Sequence, residues 1–522
     1  MKNILCCILF LLPLRSISQQ NFDRYYTFNT WTNGTQVLEI PGEGFFVVGY
    51  NDSLSFDING QPLLDYYQGI IVKLDYNGDT IKTFQLGNKD TIYTYLYGSN
   101  SDDSFRTAVL SDDGNILVGG ETQSYNATNY YDYDLWLLKF DPDLNLIFNK
   151  QFSLPDSQIV VGFAQGRKNR FGGLVLPGNQ QNFSGSIYQF NLSSFDSLGN
   201  LIFHQAILPL FNGSLFGVTE TSDRGYICVG QKCNFCFLSD LSPIVIKTDS
   251  LGNVDWYQIL PYSGDINTAY DVVNTQDGNY VYTWGNVVLA PGAQHKVWKM
   301  HFTKIDLSGN EIWTKEYGYS FDYLQRIKEL PNGNLMLTGW FRDTLAFSKQ
   351  AMLTVCTNNG DTLWSRKFSG DPVGNIKCMD GGFTSDGGFI LTGETYCCNF
   401  TPNLGWTSSL WVLKTDSLGL ITSVINLPKP ELNLTSLSAP YPNPTSNKCT
   451  ITTLIPPGDN YMSGSDYYIL VFDLLGRQLE KIKITYGLIQ TILDFSMYEN
   501  GEYVIALSIN GFNAGTKKVI KE

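Results

Sequence analysis

Few side chains in this 522-residue sequence are of the kinds that do acid–base or metal chemistry, and their spacing is sparse. The three histidines, His204, His295 and His301, stand alone. No P-loop, G-x-G-x-x-G, G-x-S-x-G or H-E-x-x-H pattern occurs. Cys233-x-x-Cys236 and the vicinal pair Cys397-Cys398 are disulfide candidates that would pin long loops in an oxidising compartment. A zinc site would want a second matched pair or nearby histidines, so neither metal nor cofactor is expected. No catalytic residue can be named, and the expectation is a protein that is not an enzyme. A carboxylate pair such as Asp132 with Asp134, or Asp52 with Asp57, needs no local motif, and keeps open the alternative of an extracellular hydrolase or lyase acting on polysaccharide. The remaining chemistry lies in rings. Tyr125, Tyr130, Tyr131, Asp132, Tyr133, Trp340, Phe341, Tyr396 and Trp406 gather in stretches of variable length. Their flat apolar faces and polar edges suit sugar rings or protein partners, which makes them ligand-binding candidates.

What positions these residues is a repeat. One phrase, a turn ending in Asp-Gly or Asn-Gly followed by an apolar run that closes on glycine, appears as DDGNILVGGET (112–122), DRGYICVG (223–230), QDGNYVYTWG (276–285), PNGNLMLTGW (331–340) and SDGGFILTGET (385–395), with looser copies at 42–50 and 170–178. A second phrase follows each, apolar-Lys-x-Asp-x-x-Gly-Asn-apolar-apolar-Trp, as in VIKTDSLGNVDW (245–256). Its aspartate falls at Asp75, Asp141, Asp196, Asp249, Asp306 and Asp416, with Thr357 in the sixth copy. Seven units of four strands result, their second strands apolar on both faces, as stacked sheets require. The fold class expected is all-β, a seven-bladed β-propeller over 19–428. Recurring aspartates cap turns and recurring tryptophans wedge between blades, with Trp313 buried there. Tight turns trim one rim, and long loops at 51–68, 122–134, 231–243, 286–300 and 396–408 open on the other. Closure falls to residues 22–28 or to 420–427.

Lysine plus arginine number 35 against 49 acidic residues, a net charge of −14, which argues against nucleic acid as a partner. Residues 1–18 read as a signal peptide: Lys2, an apolar run from Ile4 to Leu14 too short to span a bilayer, then Ser16-Ile17-Ser18. No transmembrane segment is expected.

After a linker at 429–438 the pattern changes. Tyr441-Pro442-Asn443-Pro444, Asp473-Leu474-Leu475-Gly476-Arg477, Gly501-Glu502-Tyr503 and a final Lys517-Lys518-Val519-Ile520-Lys521 follow in order over 439–522. This segment resembles the type A C-terminal sorting domain of type IX secretion cargo in Bacteroidetes. The resemblance implies a small immunoglobulin-like β-sandwich, recognition by the type IX translocon and its sorting protease, and attachment to surface lipopolysaccharide. By position it assigns the sorting signal to Pro442, Asn443, Pro444, Gly476, Arg477, Lys517 and Lys518. The chain is then expected to cross the periplasm and be secreted or held at the outer cell surface. There it would act as a propeller binding protein for an unidentified glycan or protein ligand, adhesion-like in character.

Overall fold

The computed structural model describes residues 21–522 except 29–30, 57–61, 88–102, 124–132, 155–156, 161–163, 183–187, 234–240, 261–266, 290–295, 318–322, 343–348, 370–374, 402–404, 422–435, 456–466, 475–476, 486 and 510–511. The expected signal peptide, 1–18, lies outside the described residues, as does most of the expected linker at 429–438. Every named element is a strand. Residues 32–86, 104–152, 267–317 and 323–368 each form a four-stranded antiparallel meander, and residues 157–259 form one eight-stranded sheet. In the last blade Asn375–Phe383, Phe389–Thr401 and Gly405–Thr415 are completed by Phe22–Tyr26, which pairs antiparallel with 410–414. Of the two expected closures the structure uses the N-terminal strand.

Among the described residues seven innermost strands follow one another round an axis, beginning with Thr32–Ile40 and returning through Asn375–Phe383 to Thr32–Ile40. The apolar second and third strands pack face to face between blades. Phe46, Val48 and Ile71 of the first blade meet Phe105, Val118 and Trp136 of the second, while Val37, Phe45 and Val47 meet Ile390, Leu410 and Val412 of the last. Burial of these two-sided sheets, at about 25 cal/mol per Å² of apolar surface, is the main stabilisation.

The two recurring phrases do complementary work. Asp249 Oδ1 accepts the backbone N–H groups of Leu251 and Asn253 at 2.8 and 2.9 Å. Asp141, Asp196, Asp306 and Asp416 cap their turns similarly, and Thr357 Oγ1 does so for Asp361 N. The lysine two residues earlier folds back onto the first phrase: Lys139 onto Asp113, Lys247 onto Asp223, Lys304 onto Asp277, Lys414 onto Asp386 and, in the first blade, Lys73 onto Glu43, at 2.5–2.9 Å. Each lysine is buried, so each needs its carboxylate.

The aromatic of each outer strand slides beneath the turn glycine of the next blade. A Cβ on Gly309 would lie 2.8 Å from the Trp256 ring, and Trp313 under Gly360, Trp364 under Gly419, Phe148 under Gly199 and Phe203 under Gly252 are placed alike, at 2.5–3.1 Å. Phe22 does this under Gly78 at the seam. Trp313 is therefore a wedge as expected, but half-buried rather than buried, because the outer strand has one neighbour and one open edge. At the matching turn of the second blade Leu144 holds φ of 60°, its side chain buried against Phe84 and Phe140.

Two features depart from the expected loop pattern. Leu201–Glu220 is one 20-residue strand that serves as the outer strand of the third blade and the inner strand of the fourth, with no connecting loop. Several expected long loops are mostly strand extensions: Gly44–Phe56 with Pro62–Leu74, Tyr280–Leu289 with Lys296–Ile305, and Phe389–Thr401 with Gly405–Thr415. Their polar and aromatic residues read as loop, yet continued hairpin pairing satisfies the backbone.

The C-terminal segment is a two-sheet sandwich. Ser436–Leu437, Lys448–Ile455 and Gly487–Asp494 form one sheet; Gln478–Ile484, Tyr467–Asp473, Gly501–Ile509 and Phe512–Lys521 form the other. Ile451, Ile469, Val471, Phe495, Ile505, Leu507 and Val519 share its core.

Candidate functional site

Six of the seven inner strands carry a β-bulge at the same level, between Gly34 and Gln36, Phe105 and Thr107, Leu215 and Gly217, Ala269 and Asp271, Leu324 and Arg326, and Cys378 and Asp380. A bulge re-aims side chains and leaves backbone groups off the ladder. In three blades the residue just after the bulge reaches sideways to the backbone of the next blade. Gln36 Oε1 accepts Ala108 N at 2.7 Å, Asp271 Oδ2 accepts Ile327 N at 3.1 Å, and Asp380 Oδ2 accepts Val37 N at 3.2 Å. Arg167 crosses from the third blade to bind both oxygens of Asp271 in the fifth, at 2.8 and 2.7 Å. It can do so because Gly217 lies between: a Cβ there would sit 2.7 Å from Asp271 Cα. These residues belt the axis.

Beside that belt the glycine closing each apolar run faces its inner strand so tightly that a Cβ on Gly49, Gly120, Gly230 or Gly393 would fall 1.9–2.0 Å from a backbone oxygen. The next residue is then set beside the inner strand, and its type varies by blade: Tyr50, Glu121, Asn179, Gln231, Asn286, Trp340 and Glu394. Several make neutral contacts, Gln231 with Thr268 at 2.8 Å and Asn179 with Ser214 at 2.8 Å. Blades seven, one and two differ. Asn33 Nδ2 donates to Tyr50 Oη at 3.1 Å and to Glu394 Oε2 at 3.3 Å. Glu394 pairs with Lys377. Arg106 pairs with Glu121 at 2.7 Å and lies 5.0 Å over the Tyr50 ring, while Ser104 Oγ donates to Glu121 at 3.2 Å. Asn33, Thr35, Tyr50, Arg106, Ala164, Arg326 and Met379 line a cavity of about 10 Å³, room for about one water. Burial pushes the Tyr50 hydroxyl up, against the pull of Arg106. Burial also lowers Arg326, opposed by the charges of Asp271 and Asp380.

The expected ligand-binding rings fare unevenly. Tyr125, Tyr130, Tyr131 and Asp132 lie outside the described residues. Tyr133 is half-buried opposite Gln123. Trp340 is not presented on the rim: it is 8% exposed, on a strand, with Lys349 4.9 Å over its ring. Phe341 is half-buried with Lys367 3.3 Å from its ring centre. Tyr396 and Trp406 stand on the extended last hairpin, Tyr396 opposite Asn375 and Ser408, and their side chains lie outside the described residues. Cys233 is disulfide-bonded and buried; Cys236 and the side chains of Cys397 and Cys398 lie outside the described residues. His301 stacks on Trp284 at 3.9 Å and bonds Asn286, and burial lowers it to about 4. Sequence reasoning missed Asn33, Tyr50, Arg106, Glu121, Arg326 and Glu394. The available signal was the residue after the closing glycine, which changes type while its frame repeats.

In the C-terminal segment two distant motifs touch. Asn443 donates to Lys518 O at 3.0 Å and accepts from Ile520 N at 2.8 Å, and Thr445 N donates to Ile520 O at 2.8 Å. Pro442 and Pro444 frame that clasp with cis peptide bonds. Arg477 is held by Asp473 at 2.6 Å, Gly476 lies outside the described residues, and Lys517 and Lys518 are exposed, Lys518 paired with Glu502.

No curated protein sequence matches the chain. Among solved structures it is similar to polysaccharide lyase Uly1 (10% identity, TM-score 0.44, 78% of this chain and 94% of that one). It is also similar to the α-L-arabinofuranosidase Arb93A from Fusarium graminearum (9%, 0.39, 59% and 91%). A third is the β-propeller domain of the Trilobed protease from Pyrococcus furiosus (10%, 0.37, 75% and 97%). Identities this low carry no activity over to this chain. They do correct the expectation that it is not an enzyme, since two of the three solved structures are enzymes and the lack of a local motif excludes nothing. Residues 439–522 match the secretion system C-terminal sorting domain. The chain is thus type IX secretion cargo, a β-propeller exported to the cell surface or the medium.

Proposed function

We propose that the exported propeller is a polysaccharide-cleaving enzyme, a hydrolase or lyase, working at the polar mouth formed by blades seven, one and two. The observation that carries this reading is the cluster Lys377–Glu394–Asn33–Tyr50–Arg106–Glu121, with Asn33, Glu121 and Glu394 buried and the other three half-buried. The scaffold does not require it, because equivalent positions elsewhere hold neutral Asn179, Gln231 and Asn286. Burying ions is costly, so charges at positions of blades seven, one and two where the same frame elsewhere admits neutral residues are best explained by chemistry. Tyr133 and Phe341, with the unplaced rings of residues 125–131, would bear on the sugar chain beyond the reacting unit. Asn443, Arg477, Lys517 and Lys518 would present the sorting face to the translocon, with lipopolysaccharide attachment as the route to surface retention.

The test is to follow polymer length by size exclusion while the full chain is incubated with a panel of neutral and acidic polysaccharides. At least one polymer should shorten. Tyr50→Phe and Glu394→Gln should each slow that reaction about a hundredfold or more while the chain remains folded by circular dichroism. Tight binding without shortening of any polymer would return the reading to a glycan-binding module.

A further inference from the structure

We infer that the sugar unit acted on carries a carboxylate, and that the chain is cleaved by elimination rather than hydrolysis. This rests on the proposed polysaccharide-cleaving role of the same site. In a protein of net charge −14, the charged groups lining the cavity are the two guanidiniums of Arg106 and Arg326. Beside them stand the Tyr50 hydroxyl and the Asn33 amide that donates to it. Planar guanidiniums match a carboxylate better than any neutral sugar substituent. The cavity of about 10 Å³ takes about one water, so a single carboxylate oxygen would take that place, with the rest of the carboxyl group and the sugar lying outside.

The neighbouring carboxylates speak against hydrolysis. A glycosidase needs one carboxyl that still holds a proton to give to the leaving oxygen. Here both carboxyls are already engaged, Glu121 by Arg106 and Glu394 by Lys377. Tyr50 has a proton to give, with burial holding its hydroxyl protonated. Elimination uses these groups in a balanced way. With the uronate carboxylate neutralised by the arginines, the adjacent carbon loses its proton to Glu394. That electron pair becomes a carbon–carbon double bond as the glycosidic carbon–oxygen bond breaks. The departing oxygen takes the Tyr50 proton, and Glu394 returns its proton to Tyr50.

The experiment compares polygalacturonate, the same polymer after chemical reduction of its carboxyls, and a sulfated but uronate-free galactan, each with the full chain. Polygalacturonate, or another uronate polymer in the panel, should be cleaved to products with a new ultraviolet-absorbing double bond. Its carboxyl-reduced form should react at least tenfold more slowly. Free galacturonate should inhibit where galactose does not, a readout that needs no variant. Arg106→Gln should weaken that inhibition at least tenfold. Cleavage of neutral or carboxyl-reduced polymer at an equal rate, or products that gain water and lack the double bond, would overturn this inference while leaving the cleaving role intact. Failure to shorten any polymer would remove that role. In that event, failure of galacturonate to bind would remove the carboxylate assignment too, and its binding without turnover would refute the elimination.

Discussion

At the scale of single residues, the buried lysines make an asymmetric prediction. Lys304 is 4% exposed and is held by Asp277 at 2.5 Å and by Asn358. Asp277→Ala leaves an ammonium in the interior and should cost about 3 kcal/mol, whereas Lys304→Met leaves a carboxylate that water can reach and should cost about 1 kcal/mol. Urea midpoints of the two variants check the order. Acid should expose the same pairs. Burial raises Asp113 and Asp223, but their lysines and turn hydrogen bonds outweigh it and hold both at about 2. An unfolded aspartate titrates near 3.9, so their stabilisation is full above about pH 4 and is lost as pH falls towards 2. His301 acts earlier and by a different route. Its folded form stays neutral down to about pH 4 while the unfolded form gains a proton below about 6.5, so stability falls over that interval by about 3 kcal/mol. Replacing His301 with Gln should remove that earlier decline from a melting-temperature profile against pH.

At the scale of elements, much was legible because a turn is written in contiguous residues. Asp-x-x-Gly-Asn states its own hydrogen bonds, and the apolar runs state that two faces are covered. The bulges were not legible, since a bulge is a mismatch between two strands rather than a property of either. The mouth residues were hidden for the same reason: Asn33, Tyr50, Arg106 and Glu394 lie in four strands of three blades and share no local pattern. Ring counting misled in the opposite direction, since Trp340 serves packing and a lysine contact. The wedge gives this scale its prediction. Trp313 is half-buried beneath Gly360 and meets Phe302 edge-on at 5.3 Å. Trp313→Ala should therefore cost about 2 kcal/mol, below the 3–5 kcal/mol of a fully enclosed ring, measured by denaturant unfolding.

At the scale of the whole molecule, export and propeller are separable. Deleting residues 439–522 removes the matched sorting domain and none of the propeller strands. The truncated chain should fold and accumulate in the periplasm; its appearance outside in normal amounts would contradict the sorting assignment. Closure of the ring carries a further consequence, one of timing. Phe22–Tyr26 lies at the N-terminal end of the described chain, yet its partners are residues 410–414, and Trp411 Nε1 donates to Asp23 across 388 positions of sequence. A chain delivered N-terminus first must hold that strand unpaired until the last blade has emerged. Bringing such distant segments together is slow because loop-closure entropy is spent before the contacts form. The ring therefore cannot latch before residues 410–414 have crossed the membrane. The same strand that seals the finished molecule keeps the nascent one open.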